Sequence, residues 1–255
     1  MRKKLIQYII GLIVIFAIWH IASIALNKPF FPSPVTTVKA MGSLLIENEM
    51  GKHIWASLYR VALGTIFGLL ASFPVGLILG TNKKIDSIIG RILDILYPIP
   101  KVVFLPIIVV CLGIKDAPKI FLIALVLFFQ LSLIIRDAVR HISADYVNSM
   151  NALNPTGFQY FIHLVIPACM PEVLSALRGT LGISTALLFI TENFASITGL
   201  GYFITKSMDA RNFDEMYAGI LALALLGVIL YCLMHLIERK VCRWKFAETM
   251  NEEEV

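Results

Sequence analysis

Few side chains in this 255-residue chain could do chemistry, and those that could stand in apolar surroundings. Glu192, in "ITENFAS", and His20 or His235 are the groups that could relay an ion through an apolar helix, the role that ionisable residues in such places usually carry. Lys101 follows the Pro98 and Pro100 break, where a cation could attract an anion; the simpler reading is a lysine reaching toward water along its own stem. Arg178 could meet a phosphate or clamp helix ends, and Glu192 is more simply a packing or gating residue than a relay.

Enzymatic chemistry finds no support. The sequence has no G-x-x-x-x-G-K-[ST] phosphate loop, no H-E-x-x-H, no nucleophile elbow and no pair of carboxylates at helical spacing within an apolar run. The four cysteines, Cys111, Cys169, Cys232 and Cys242, are far apart and lack a C-x-x-C, so they read as small packing residues rather than metal ligands or disulfides.

The elements that must position these residues follow from composition. The chain is 58% hydrophobic and 15% charged, against about 25% charged for soluble domains. Its net charge of +5 comes mostly from residues flanking apolar runs, which points to membrane topology and lipid headgroups and not to nucleic acid. An all-α membrane protein is expected, because lipid leaves no partner for an open backbone. Six stretches are long enough to span a bilayer: 5–26, 58–79, 92–112, 118–135, 173–191 and 218–237. The first is too long for a signal-peptide core and is read as a retained span. The third carries Pro98, Pro100 and Pro106 and should be kinked or broken, with "IDSIIGRILDIL" before it able to lie along the interface. Gly64, Gly68 and Gly76 give the second span a close-packing face, within the chain or between copies.

Lys and Arg alternate in density between the two ends of the spans. Arg2, Lys3, Lys4, Lys83, Lys84, Arg91, Arg136, Arg140 and the group from Arg239 to Lys245, with Arg178 near a helix start, fall on one side, so both termini are expected in the cytoplasm. Lys28, Lys39, Lys52, Arg60, Lys115, Lys119, Lys206 and Arg211 fall on the other. Between the first two spans, residues 32–53 carry Val35, Val38, Met41, Leu44 and Leu45 at helical spacing, predicting an external amphipathic helix. The expected division is 1–30 as N-terminal transmembrane helix, 31–53 as external segment, 54–240 as transmembrane core and 241–255 as a cytoplasmic tail ending in acidic "NEEEV". Trp244 and Tyr231 suit an interfacial aromatic belt.

One stretch breaks the apolar pattern: "MNALNPTGFQYFIHLVIPACMP", residues 150–171. Asn154 before Pro155 is a helix stop, since Asn tolerates the left-handed conformation and proline disfavours helix in the residue before it. Thr156 can cap the next helix. A short cytoplasmic helix, a turn and a second helix with Phe158, Tyr160 and Phe161 exposed would result, a peg able to dock in a partner's groove. His163 reads as a surface residue.

This segment resembles the EAA loop of bacterial ABC importer permeases. Leu153, Thr156, Phe161, Val165, Pro167, Pro171 and the Leu177–Arg178 pair fall in register with its pattern. The likeness continues through "FPSPVTTV", "ASLYRVALGTIFGLLASFPVGLILG", "YPIPKVVFLPI", "GIKDAPKIFLIAL", "DAVR" and "GLGYFI", and in detail is similar to permeases for nitrate, taurine, alkanesulfonates, bicarbonate and some thiamine or pyrimidine precursors. Departures are Asn148, Ser149 and Met150 at the E-A-A positions, Asn154 at the family glycine, Lys101 where an apolar residue or proline is usual, and Gln130 where proline is common.

The resemblance implies a type I ABC importer permease fold of about six transmembrane helices with a cytoplasmic coupling helix, in the bacterial inner membrane. It implies a substrate pathway moved by cytoplasmic ABC ATPase subunits, which would bind ATP and Mg, with no cofactor in this chain. It also implies a permease homodimer and an extracytoplasmic substrate-binding protein. Asn148, Asn151, Leu153, Asn154, Pro155, Thr156, Gly157, Phe158 and Phe161 would couple to the ATPase, and Lys101, Arg178 and Glu192 are the pathway candidates. The expected substrate is a small organic or inorganic anion. The alternatives are a thiamine or pyrimidine precursor carried by the same kind of permease, or a stand-alone secondary carrier or channel.

Overall fold

A computed structural model describes residues 2–194 and 196–244, so the acidic tail expected at the C-terminus lies outside the described residues. Those residues form ten helices and no strand. In chain order they are α1 (Arg2–Leu26), α2 (Pro34–Ile46), α3 (Glu49–Thr81), α4 (Lys83–Leu96), α5 (Lys101–Leu112), α6 (Ala117–Arg140), α7 (Ala144–Ala152), α8 (Gly157–Asn193), α9 (Leu200–Asp209) and α10 (Phe213–Val241). Five of them, α1, α3, α6, α8 and α10, are long and apolar enough to cross a membrane, and α4 with α5, bent by 79° at the break between them, is apolar enough for a broken sixth span or a re-entrant pair. The bend falls at the predicted proline break, between Leu96 and Lys101. The amphipathic helix expected over 32–53 is shorter: Asn48 at φ 59° ends it, and from Glu49 the chain already belongs to α3.

The chain divides into two compact units, 1–58 with 189–226, and 59–188 with 227–255. In the first, α2 starts on Ser33, whose hydroxyl accepts the Thr36 amide at 3.2 Å. Pro34 takes the first turn, where a missing N–H costs nothing. Trp19 donates its indole N–H to the Pro32 carbonyl at 3.1 Å and stacks on Tyr217, and the Ser23 hydroxyl donates to Phe31 O at 3.2 Å. From Ile9 to Leu26 none of α1 is buried in the chain, so its apolar surface is left for lipid.

In the second unit α6 is the central helix, with Leu122, Ile123, Leu127, Leu131 and Ile135 fully buried. The small residues of α3 meet it: a Cβ at Gly64 would lie 2.7 Å from Ile123 Cβ, one at Gly68 2.7 Å from Leu127 Cβ, and one at Gly76 2.5 Å from Ile135 Cβ. The glycine face expected from the sequence is therefore used within the chain, and Gly80 against Val139 extends it. At the far end of α6, Arg136 pairs with Asp94 at 3.0 Å and Asp137 at 2.9 Å, and Arg140 pairs with Asp86 and donates to Leu79 O at 3.3 Å. That network fastens α4 and the end of α3 to α6.

Candidate functional site: the turn between α7 and α8

Ser143 opens α7, its hydroxyl accepting the Asp145 amide at 3.2 Å. A serine in this position satisfies one of the free amides of the first turn. The helix ends at Ala152, and Asn154 stands at φ 48°. This is the left-handed conformation that a residue between a helix end and a proline needs. Thr156 then starts α8 with a reciprocal cap: its hydroxyl accepts the Gln159 amide at 3.4 Å, and the Gln159 side-chain oxygen accepts the Thr156 amide at 2.9 Å. The end of α7 is closed by backbone amides, Leu153 N–H to Met150 O at 3.1 Å and Asn154 N–H to Asn151 O at 3.0 Å, and the start of α8 by side chains, which together keep a short protruding element in one shape.

Asn148, Asn151, Leu153, Asn154, Thr156, Gly157 and Phe158 are exposed, and Leu153 and Phe158 at 77% and 76% stand out as apolar side chains without cover in this chain. Pro155 and Phe161 are half-buried. Tyr160 is half-buried too, so of the three aromatics expected at the surface only Phe158 is fully displayed; Leu164 and Val165, one turn on, turn that side of α8 inward. Residues 161–165 form a π-helical turn, and the helix then continues through Pro171 to Asn193. Two cavities border the element. One of about 860 Å³ is lined by Lys83, Asp86, Arg140, Val147 and Tyr160, the other of about 600 Å³ by His141, Tyr146, His163, Glu172 and Trp244.

The three pathway candidates have separate sets of partners. Lys101 is 8% exposed and does not reach toward water: its ammonium donates to Leu96 O at 2.8 Å and Tyr97 O at 2.5 Å and lies 4.4 Å from the Phe129 ring centroid. It caps the carbonyl end of α4 at the bend. Arg178 pairs with Glu238 at 2.9 Å, lies 2.7 Å from His235 Nδ1 and covers the Tyr231 ring. Glu192 is fully buried and accepts from the Ser57 hydroxyl and the Gly201 amide, each at 2.9 Å.

Sequence reasoning missed Glu238, Ser57 and Lys119. Glu238 could have been found, since Tyr231, His235 and Glu238 share one face of a helix at spacings of four and three. Lys119 is 1% exposed and donates to Ile114 O at 3.0 Å and Lys115 O at 2.7 Å, doing for the loop after α5 what Lys101 does for the loop after α4.

Similarity to known proteins agrees with this architecture. Residues 64–243 match the family model described as binding-protein-dependent transport system inner membrane component. A protein of Bacillus subtilis (strain 168) designated an aliphatic sulfonates transport permease, SsuC, is 30% identical over 237 residues, 91% of this chain and 85% of its own. The taurine transport system permease protein TauC of Escherichia coli (strain K12) is 25% identical, covering 89% and 84%. The nitrate import permease protein NrtB of Synechocystis is 23% identical, covering 89% and 86%. Among solved structures, the MetNI methionine ABC transporter in inward facing conformations superposes with a TM-score of 0.66 at 19% identity, over 75% of this chain and 95% of that one, a likeness of fold. With a family match over most of its length, this set of relatives and the helix arrangement above, the chain belongs to the binding-protein-dependent transport system inner membrane components and is an ABC importer permease of the type I fold.

Proposed function

We propose that this permease forms half of the path for a small organic or inorganic anion, of the sulfonate, nitrate or bicarbonate class, and is driven by ATP hydrolysis on a partner. The exposed turn carrying Leu153 and Phe158, with the reciprocal Thr156–Gln159 cap behind it, is the observation that supports this most directly. An ABC ATPase subunit that binds ATP and Mg would grip this peg and move α7 and α8 as it closes, so that packed helices rock between two states. A second copy of the chain would complete the path, and an extracytoplasmic binding protein would deliver the substrate to the side opposite the turn. Both termini and the 241–255 tail would then face the cytoplasm, with 54–240 as the moving core, 1–30 as an added membrane helix and 31–53 outside. The anion class is supported by the names of SsuC, TauC and NrtB. Lys101, Arg178 and Glu192 act on the path by shaping it, since each has its charge met by protein groups.

The test is co-purification in mild detergent followed by reconstitution. The native permease should carry an ATPase subunit with it and import in an ATP-dependent manner, whereas Phe158→Glu should insert normally, lose the ATPase and lose transport. Undiminished ATP-driven transport by Phe158→Glu would overturn the assignment of the turn; transport driven by an ion gradient without any ATPase would overturn the class of mechanism.

A further inference from the structure

The start of α9 is held by side chains of two other helices. The first amides of a helix have no partner inside it and form the positive end of its dipole. Here three successive ones are each received: Gly199 N–H by His53 Nδ1 at 3.1 Å, Leu200 N–H by Ser57 Oγ at 2.8 Å, and Gly201 N–H by Glu192 Oε2 at 2.9 Å. The Ser57 hydroxyl hydrogen turns to the Glu192 carboxylate, whose oxygens both lie 2.9 Å away. His53 and Ser57 are one turn apart on α3, and Glu192 is on the last turn of α8, so one cluster joins three helices. Gly199 stands at φ 111°, and a Cβ on Gly201 would lie 2.8 Å from Phe189 O. The two glycines allow an approach that a side chain would block.

The ring of His53 has only one compatible state. A backbone N–H always donates, so Nδ1 must present its lone pair, the ring is neutral and its hydrogen is on Nε2. The imidazole is 5% exposed, stacks on Tyr202 with centroids 5.9 Å apart, and lies 5.3 Å from Phe203, so it cannot turn away without repacking α9. A proton on Nδ1 would set N–H against N–H and place a cation at the positive end of a helix. Burial opposes that charge most, Lys52 on α3 and Lys206 on α9 oppose it as well, Glu49 on α3 favours it, and Glu192 on α8 belongs to the same cap.

We propose that His53 makes the attachment of α9 proton-sensitive: with a neutral ring the three amides are held and α9 is fixed to α3 and α8, and on protonation Gly199 loses its acceptor and the start of α9 is released. The sign follows from the acceptor role, with attachment complete at alkaline pH and lost as pH falls to the lower end of the imidazole range and below it, because burial opposes the charged ring. This inference needs neither a particular substrate nor the proposed orientation. In that orientation α9 faces the side from which substrate arrives, so the attachment would respond to the pH outside the cell.

Hydrogen exchange of the full-length permease in lipid nanodiscs tests it, with rates corrected for the intrinsic pH dependence of exchange. Between about pH 8 and pH 4, reaching below the window of a free imidazole, protection of the 199–201 amides should fall about tenfold, the loss of one hydrogen bond, while peptides from α6 stay unchanged. His53→Asn puts a non-titrating acceptor oxygen near the place of Nδ1 and should abolish the pH step. Ser57→Ala should lower protection at every pH and keep the step. A wild-type protein without the step, or His53→Asn with the same step, would overturn the proposal; the wild-type measurement decides even if a variant fails to fold.

Discussion

Gly76 of α3 faces Ile135 of α6 so closely that a Cβ on the glycine would lie 2.5 Å from the Ile135 Cβ. Backbone approach of this kind is how helices gain dispersion contacts in a medium where burying apolar surface brings no advantage over lipid. Gly76→Val should therefore destabilise the permease by about 1–3 kcal/mol or more through forced separation of the helices. Gly182→Ala, with nothing within 4 Å of the added atom, should be neutral or slightly stabilising. Thermal unfolding of both variants in the same detergent gives the comparison, and equal melting temperatures would contradict the packing described.

Lys101 separates two roles by kinetics. Its ammonium serves the carbonyls of Leu96 and Tyr97, and Leu96 O also accepts the Ile99 amide, so Lys101→Met strips Tyr97 O of this donor and costs about 1–3 kcal/mol of stability. The apparent KM for substrate should stay unchanged. A raised KM with unaltered stability would instead make Lys101 an anion-attracting group of the path.

Arg178 and Glu238 should behave as a pair. Glu238 is 4% exposed, and removing its partner alone leaves a buried charge. Arg178→Met is expected to cost about 3–5 kcal/mol, and adding Glu238→Leu should restore most of it. Strictly additive losses in the double-mutant cycle would mean that the two side chains do not stabilise each other.

The turn offers a test of shape apart from surface. Thr156→Ala removes one half of the reciprocal cap and should cost about 1 kcal/mol at the start of α8. Asn154→Val forces a β-branched residue into the left-handed region, which costs roughly 1 kcal/mol or somewhat more. Asn154→Gly should be tolerated, because glycine adopts that conformation freely. Transport per ATP hydrolysed, measured in proteoliposomes, should fall in the first two variants and hold in the third.

Local features of this fold were legible because local chemistry sets them. Asn154, Pro155 and Thr156 announce a stop and a start within three residues, and long apolar runs announce helices that cross lipid. The partners of buried charges were not legible, because folding alone brings them together: Ser57 lies 135 positions from Glu192, and Arg178 lies 57 from His235. Lys101 illustrates the gap. A lysine after two prolines reads as a cation near a break, and only the 79° bend turns the α4 carbonyls toward its ammonium. For the same reason the glycine face was visible while its partner helix was not.

α1 is fixed by Trp19 and Ser23 and uncovered by the chain over its apolar length. Among the described residues from Ile9 to Ile15 every residue is exposed, and the first ring that the chain itself engages is Phe16, 5.9 Å from Trp19, so what the chain asks of those earlier positions is solubility in hydrocarbon. The order of Ile, Leu and Val there carries little information: scrambled apolar versions should insert and work, whereas the same shuffling in α6 would lose the register of every residue that meets a glycine.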